Sequence, residues 1–159
     1  MQKPYPRACK TVDDIQVGDT LVKDYTISYD TVRKFTDICG DWNPVHHDAA
    51  YAETTIFKKQ IAHGMISVAQ FSGMFGMDTP GLGAVYTWQD VQFMAPAYLD
   101  TPYQAIAKVT AVDVATNTVT YATTCVEKAT GKEILKGTAR LKPVPAKVKA
   151  KMDPATLPR

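Results

Sequence analysis

The stretch Gly64-Met65-Ile66-Ser67-Val68-Ala69-Gln70-Phe71-Ser72-Gly73-Met74-Phe75-Gly76-Met77 is apolar or small on nearly every side. A surface helix has one apolar stripe and a polar back, so a segment lacking that back predicts a helix enclosed by other elements. Thr79-Pro80-Gly81 ends it. The chain beyond reads as strands over residues 84–93, 103–114, 118–128 and 133–142, with turn signals near Pro96, at Thr116-Asn117 and at Thr130-Gly131. Turns that short make the neighbouring strands antiparallel. One buried helix followed by long antiparallel strands is an α+β pattern in which a sheet wraps a central helix. Such a sheet has open edges, and pairing of two copies would close one, so a homodimer is expected.

Upstream, Val17-Gly18-Asp19 forms a turn before a short strand. A helix follows, with Ser28 as its N-cap, Val32, Phe35, Ile38 and Cys39 at helical spacing, and Gly40 where a left-handed cap falls. Asp48 is placed to cap a further short helix reaching about Thr54. The chain therefore divides into an N-terminal arm (1–11), a single domain (12–143) and a Lys- and Pro-rich tail (144–159), expected to be extended or disordered.

At 159 residues and 45% apolar composition, one domain can bury a full core without staples. The net charge of +2, mixed in sign, argues against a nucleic-acid partner. No apolar run is long enough to cross a bilayer, and the opening Met1-Gln2-Lys3-Pro4-Tyr5-Pro6 lacks the apolar core of a signal peptide. Cys9, Cys39 and Cys125 are odd in number and lack metal spacing, which suits reduced thiols in a cytosol-like compartment. Cys39 and Cys125 are expected to be buried.

Between the first helices lies Gly40-Asp41-Trp42-Asn43-Pro44-Val45-His46-His47-Asp48, which concentrates a carboxylate, an amide and an imidazole. Extended chain would hold Asp41 and His46 roughly 17 Å apart. A turn at Asn43-Pro44 would fold them together, because Asn bonds its own backbone and Pro fixes one dihedral. Asp41 has two readings, an Asx-turn after the helix or an acid–base group. Asn43 chiefly shapes the turn. His47 is expected to point to solvent or away from His46, since adjacent side chains diverge. His63 either donates to the loop or packs as a structural histidine. No metal is expected, because the histidine spacing matches no helical zinc pair.

Asp41-x-Asn43-Pro44-x-His46-x-Asp48 followed by Ala62-His63-Gly64-Met65 resembles the MaoC-like, R-specific enoyl-CoA hydratases of hot-dog fold. The likeness runs from about residue 12 to 143 and includes Phe71-Ser72-Gly73 and Val91-Gln92-Phe93-Met94-Ala95-Pro96. The resemblance implies that the loop is a hydratase overhang with Asp41 and His46 as the catalytic pair, and that Gly64 gives its N–H to the thioester oxygen. It further implies that Asn43 and His63 support the site, that Ser72 lies near it, and that a dimer takes its acyl-thioester through a tunnel. Coenzyme A is then part of the substrate and no separate cofactor is needed. His47 occupies a variable place in the motif, and the basic tail lies outside it. Met74, Phe75 and Met77 could line an acyl pocket, and Lys58 and Lys59 could approach coenzyme phosphates, though packing and solvated surface are their plainer roles.

The chemistry explains the residue types. Conjugation with a thioester makes the β-carbon of an enoyl chain electrophilic, so hydration needs an activated water, a proton for the α-carbon and a donor for the enolate-like oxygen. A carboxylate and an imidazole on one water supply the first two. A backbone donor at a helix start supplies the third. The same machinery run backward dehydrates a 3-hydroxyacyl thioester. Rival readings are a dehydratase of acyl-carrier-protein thioesters, a thioesterase, and a non-catalytic acyl-thioester-binding module.

Overall fold

A computed structural model describes residues 8–152. After a 3-10 turn at Val12–Asp14 the order is β1 (Thr20–Thr26), α1 (Tyr29–Cys39), α2 (Pro44–His47), α3 (Ala49–Thr54), α4 (Gly64–Met77), β2 (Val85–Phe93), β3 (Pro102–Asp113), β4 (Thr118–Glu127), β5 (Glu133–Lys142) and α5 (Ala146–Met152). The helical stretch 64–77 and the four strands after it lie within a residue of where the sequence places them.

Period-2 alternation turns Tyr103, Ala105, Ala107 and Val109 of β3, and Val119, Tyr121, Thr123 and Cys125 of β4, to one buried face. Against that face α4 sets Ile66, Phe71, Met74 and Phe75 in one continuous core, with the Phe75 ring 4.8 Å from that of Tyr121. Burying one such side chain contributes roughly 1.5–3 kcal/mol. The helix is not enclosed all round, however. Met65, Ala69, Ser72 and Gly76 form an exposed stripe, the small residues lying on the open side. Met74 and Phe75, considered for a ligand pocket, are core residues at 1% exposure each.

The sheet is antiparallel with the order β1-β3-β4-β5-β2. The short turns make β3, β4 and β5 neighbours as expected, but β2 and β3 do not pair. β1 claims the edge of β3, with Tyr25 opposite Tyr103, and β2 takes the far edge beside β5. The segment around Pro96 is therefore a crossover, held where Ala62 N–H donates to Ala97 O (2.7 Å).

The tail also departs from expectation. Val144 is buried, Asn117 Nδ2 donates to Pro143 O (2.8 Å), and the Ala- and Lys-rich residues after it form α5, whose Lys149 lies 2.8 Å from Asp14 Oδ2. Ala and Lys are good helix formers, and a buried anchor at Val144 gives them something to grow from. Residues 8–11 of the arm are tied as well, Lys10 N–H donating to Pro80 O (2.9 Å). Residues 1–7 and 153–159 lie outside the described part. No described helix is long and apolar enough to cross a membrane.

Candidate active site

Helix α1 begins at Ser28, whose Oγ accepts from Thr31 N–H, and stops at Gly40, whose φ of 75° is the left-handed cap. Asp41 follows directly. Its Oδ1 accepts the Asn43 N–H (3.1 Å) and Asn43 Oδ1 accepts the Val45 N–H (3.2 Å), so two short side chains bend the backbone in succession. Pro44 then opens α2, a single helical turn where the sequence suggested only a bend. That turn carries His46 back over Asp41. His46 Nδ1 is 2.8 Å from the Ile61 carbonyl and therefore bears the hydrogen, which leaves the Nε2 lone pair facing Asp41 Oδ2 at 3.7 Å. This gap is too long for a direct hydrogen bond, and a water seated to one side of the line between the two atoms can reach both. His46 is 8% exposed while the Asp41 side chain is half open, so the pair sits at a solvent-reachable wall.

Residues 62–64 close the site from the other side. His63 precedes α4 and stacks on His46 with ring centroids 3.9 Å apart; its Nε2 lies 3.1 Å from Asp41 O and 3.7 Å from Asp41 Oδ2. Among the described residues, the N–H groups of Gly64 and Met65 meet no acceptor, as expected for the first turn of a helix, and both residues line the cavity at the helix's positive end. A Cβ at Gly64 would fall 2.5 Å from the ring of Phe93, which is 51% exposed and would have to shift to admit it.

Asp41, His46 and His63 hold donor atoms within 4.8 Å of one another, a grouping that could suggest an ion. His63 Nε2 faces a carbonyl, which has no proton to give, so Nε2 carries the hydrogen and has no lone pair for a metal. Two donors remain, fewer than the three protein ligands of a catalytic zinc site. The four groups Asp41, His46, His63 and Gly64 instead line a cavity of about 610 Å³, whose other walls are mostly apolar, among them Phe57, Met65, Met94 and Leu135. A mostly apolar cavity with a few convergent polar groups is the form of a small-molecule site.

A family model described as a MaoC like domain matches residues 14–132. The chain belongs to the MaoC-like family. One relative of this MaoC-like protein, the (R)-specific enoyl-CoA hydratase of Rhodospirillum rubrum, is 36% identical over 135 residues, 85% of this chain and 92% of the relative. The solved (R)-hydratase of A. caviae involved in PHA biosynthesis superposes with a TM-score of 0.79 at 30% identity, covering 82% of this chain and 98% of that one. The unliganded R-hydratase PhaJ1 from Pseudomonas aeruginosa does so at 0.78 and 34%, covering 84% of each. The hot-dog fold expected from the motif is thus the fold of this MaoC-like chain.

The remaining candidates divide. Asn43 shapes the turn but does not line the cavity. Ser72 is exposed on α4, eight residues from Gly64 and so roughly 12 Å along the helix axis, outside the cavity lining. The serine that does line it is Ser67, 1% exposed, whose Oγ accepts from Tyr25 OH at 2.9 Å. Being one turn into an apolar helix, Ser67 gave no motif signal. Burial pushes the nearby Cys125 thiol up to about 11, so it stays a neutral thiol. Cys39, expected to be buried, is exposed and lines the cavity mouth, because α1 turns its Val32–Thr36 stripe inward instead. His47 does not reach for solvent: it turns away from His46 onto α1, 3.0 Å from Thr36 Oγ1, with its ring 5.1 Å from that of Trp42. Lys58 and Lys59 are exposed, beside the cavity residue Phe57.

Proposed function

We propose that this protein is an R-specific enoyl-CoA hydratase that adds water across the double bond of a trans-2-enoyl-CoA and, in reverse, dehydrates (R)-3-hydroxyacyl-CoA. The observation that carries the proposal is the facing of Asp41 Oδ2 and His46 Nε2 at 3.7 Å, on the wall of a mostly apolar cavity that Gly64, the first residue of α4, also lines. A water held by that pair gives up one proton to it, its oxygen bonds to the β-carbon, and the pair returns a proton to the α-carbon on the same side. The catalyst ends as it began. The charge that develops on the thioester oxygen is met by the free donors at the start of α4. The (R) outcome rests on the likeness to the R-hydratases.

A homodimer in a reducing, cytosol-like compartment completes the proposal. In support, β2 is an edge strand that exposes Val85, Trp88 and Phe93, and the open stripe of α4 is apolar and small. The site itself is tested by Asp41→Asn and His46→Ala. Asn retains the oxygen that closes the turn, so the loop persists while the base is lost. Both variants are expected to keep the parent circular dichroism spectrum and to lose turnover of crotonyl-CoA by about a hundred- to ten-thousandfold. Near-parent rates in both would remove the pair from the reaction. Release of free thiol from the substrate would point to thioester hydrolysis instead, and faster turnover of the carrier-protein thioester to the related dehydratase.

A further inference from the structure

Behind the Asp41–His46 pair lies a polar cluster that the reaction as proposed does not use. Thr36, on the inward stripe of α1, is 0% exposed. Its Oγ1 lies 3.3 Å from Asp41 O, 3.0 Å from His47 Nε2 and 3.5 Å from His63 Nε2. A threonine hydroxyl has one hydrogen and two lone pairs, and the assignment of donors follows from that. Asp41 O can only accept, so it takes the Thr36 hydrogen and also that of His63 Nε2 at 3.1 Å. With its hydrogen spent, Thr36 Oγ1 accepts from His47 Nε2–H. Both imidazoles are thereby fixed as Nε2–H tautomers, and their Nδ1 atoms are left buried without partners. The His47 ring is seated between Trp42 and Tyr29, at centroid distances of 5.1 and 6.1 Å, so the donor that orients the hydroxyl is itself held.

We infer that Thr36 is a positioning residue of this site: its hydroxyl, oriented by His47, anchors the Asp41 peptide and so aims the Asp41 carboxylate at His46. Gly40 N–H donates to Thr36 O at 2.7 Å, and the side-chain bond follows on the same residue, so one threonine grips the chain both at the helix cap and one residue beyond it. The peptide carbonyl of Asp41 is pinned from α1 by Thr36 and from the start of α4 by His63. Without the first pin, rotation about the Gly40–Asp41 backbone can swing Oδ2 off His46. This places a chemical task on the histidine at position 47, which the motif leaves variable. The inference rests on the proposed roles of Asp41 and His46.

The test uses the full chain and crotonyl-CoA. Thr36→Val keeps the buried shape and removes the hydroxyl; it is expected to lower kcat by about ten- to a hundredfold, the scale of a catalytic group misplaced by up to about an ångström, with KM changed less than about threefold. Thr36→Ser restores the hydroxyl and is expected to recover kcat to within about threefold of the parent. His47→Phe keeps a ring beside Trp42 but removes the donor, and is expected to cost about three- to tenfold in kcat, the worth of one neutral hydrogen bond. The Thr36→Val/His47→Phe double variant should be no slower than Thr36→Val alone, because the two act through one bond. A folded Thr36→Val enzyme with kcat within about twofold of the parent, or a Thr36→Ser enzyme as slow as Thr36→Val, would overturn the inference. Should Thr36→Val fail to fold, His47→Phe decides it, and an unchanged kcat there refutes it. Asp41→Asn run alongside separates the two claims: if it is silent while Thr36→Val is active, only the positioning role falls; if it is active, the site assignment falls and takes this inference with it.

Discussion

Asp41 divides its work between its two oxygens. Oδ1 closes the turn by accepting the Asn43 N–H, and Oδ2 looks across at His46 and His63. The two readings open at the sequence level, an Asx-turn and an acid–base group, are therefore compatible in one side chain. With His63 Nε2 committed as a donor, the cluster is short of ligands, and overnight treatment with excess chelator is expected to leave crotonyl-CoA turnover unchanged. Loss of activity restored by one divalent ion would show that the donor assignment at His63 is wrong. Asp41, His46, His63 and Gly64 were legible because each belongs to a motif with fixed spacing. Ser67, Thr36 and the inward turn of His47 were not, because their part comes from which face of a helix is buried, and a lone hydroxyl in a helix has no signature of its own. Ser72, from the same motif neighbourhood, lies on the exposed side of that helix and not on the cavity wall.

At the scale of elements, the strands were read within a residue because alternation and turn residues are local properties. Strand order is a long-range property, and nothing within residues 84–103 tells that β1 has already taken the edge of β3. The described part of the tail, residues 144–152, departs from expectation for a related reason. Its composition is that of a solvated segment, yet Val144 is buried and Lys149 reaches Asp14, far earlier in the chain. That contact is testable. The hydrogen bond from Lys149, with those from Thr11, lowers the Asp14 carboxyl from 3.8 to about 2. A carboxyl depressed in the folded state contributes its stability above its ordinary range and loses it as the pH falls toward about 2. Lys149→Ala should return the Asp14 titration toward 3.8 in a carbon-detected NMR experiment, and an unmoved midpoint would mean that α5 is not held there. Because the Asp14 side chain is 41% exposed, solvent screening keeps the effect on global stability small, about 1 kcal/mol or less.

For the whole molecule, the described residues leave open the β2 edge of the sheet and the stripe Met65, Ala69, Ser72 and Gly76 on α4, besides the opposite edge at β1. Light scattering on the purified protein is expected to give twice the 17.5 kDa chain mass. Ala69→Glu puts a charge on the exposed stripe without touching the core, and should shift the species to the 17.5 kDa monomer with its secondary structure intact. A parent that is monomeric, or an Ala69→Glu variant that stays paired, would place the interface elsewhere or remove it. The Met65 end of that stripe also lines the cavity, so pairing and substrate entry meet at one end of α4. The central claim, that this cavity holds a water between a carboxylate and an imidazole and delivers it to one face of an enoyl thioester, has a direct chemical readout. Purified protein is incubated with trans-2-enoyl-CoA substrates of increasing length and the product is resolved on a chiral phase. The account predicts (R)-3-hydroxyacyl-CoA, formed by the parent and not by Asp41→Asn; an (S) product, no product at any chain length, or equal yield from Asp41→Asn would contradict it.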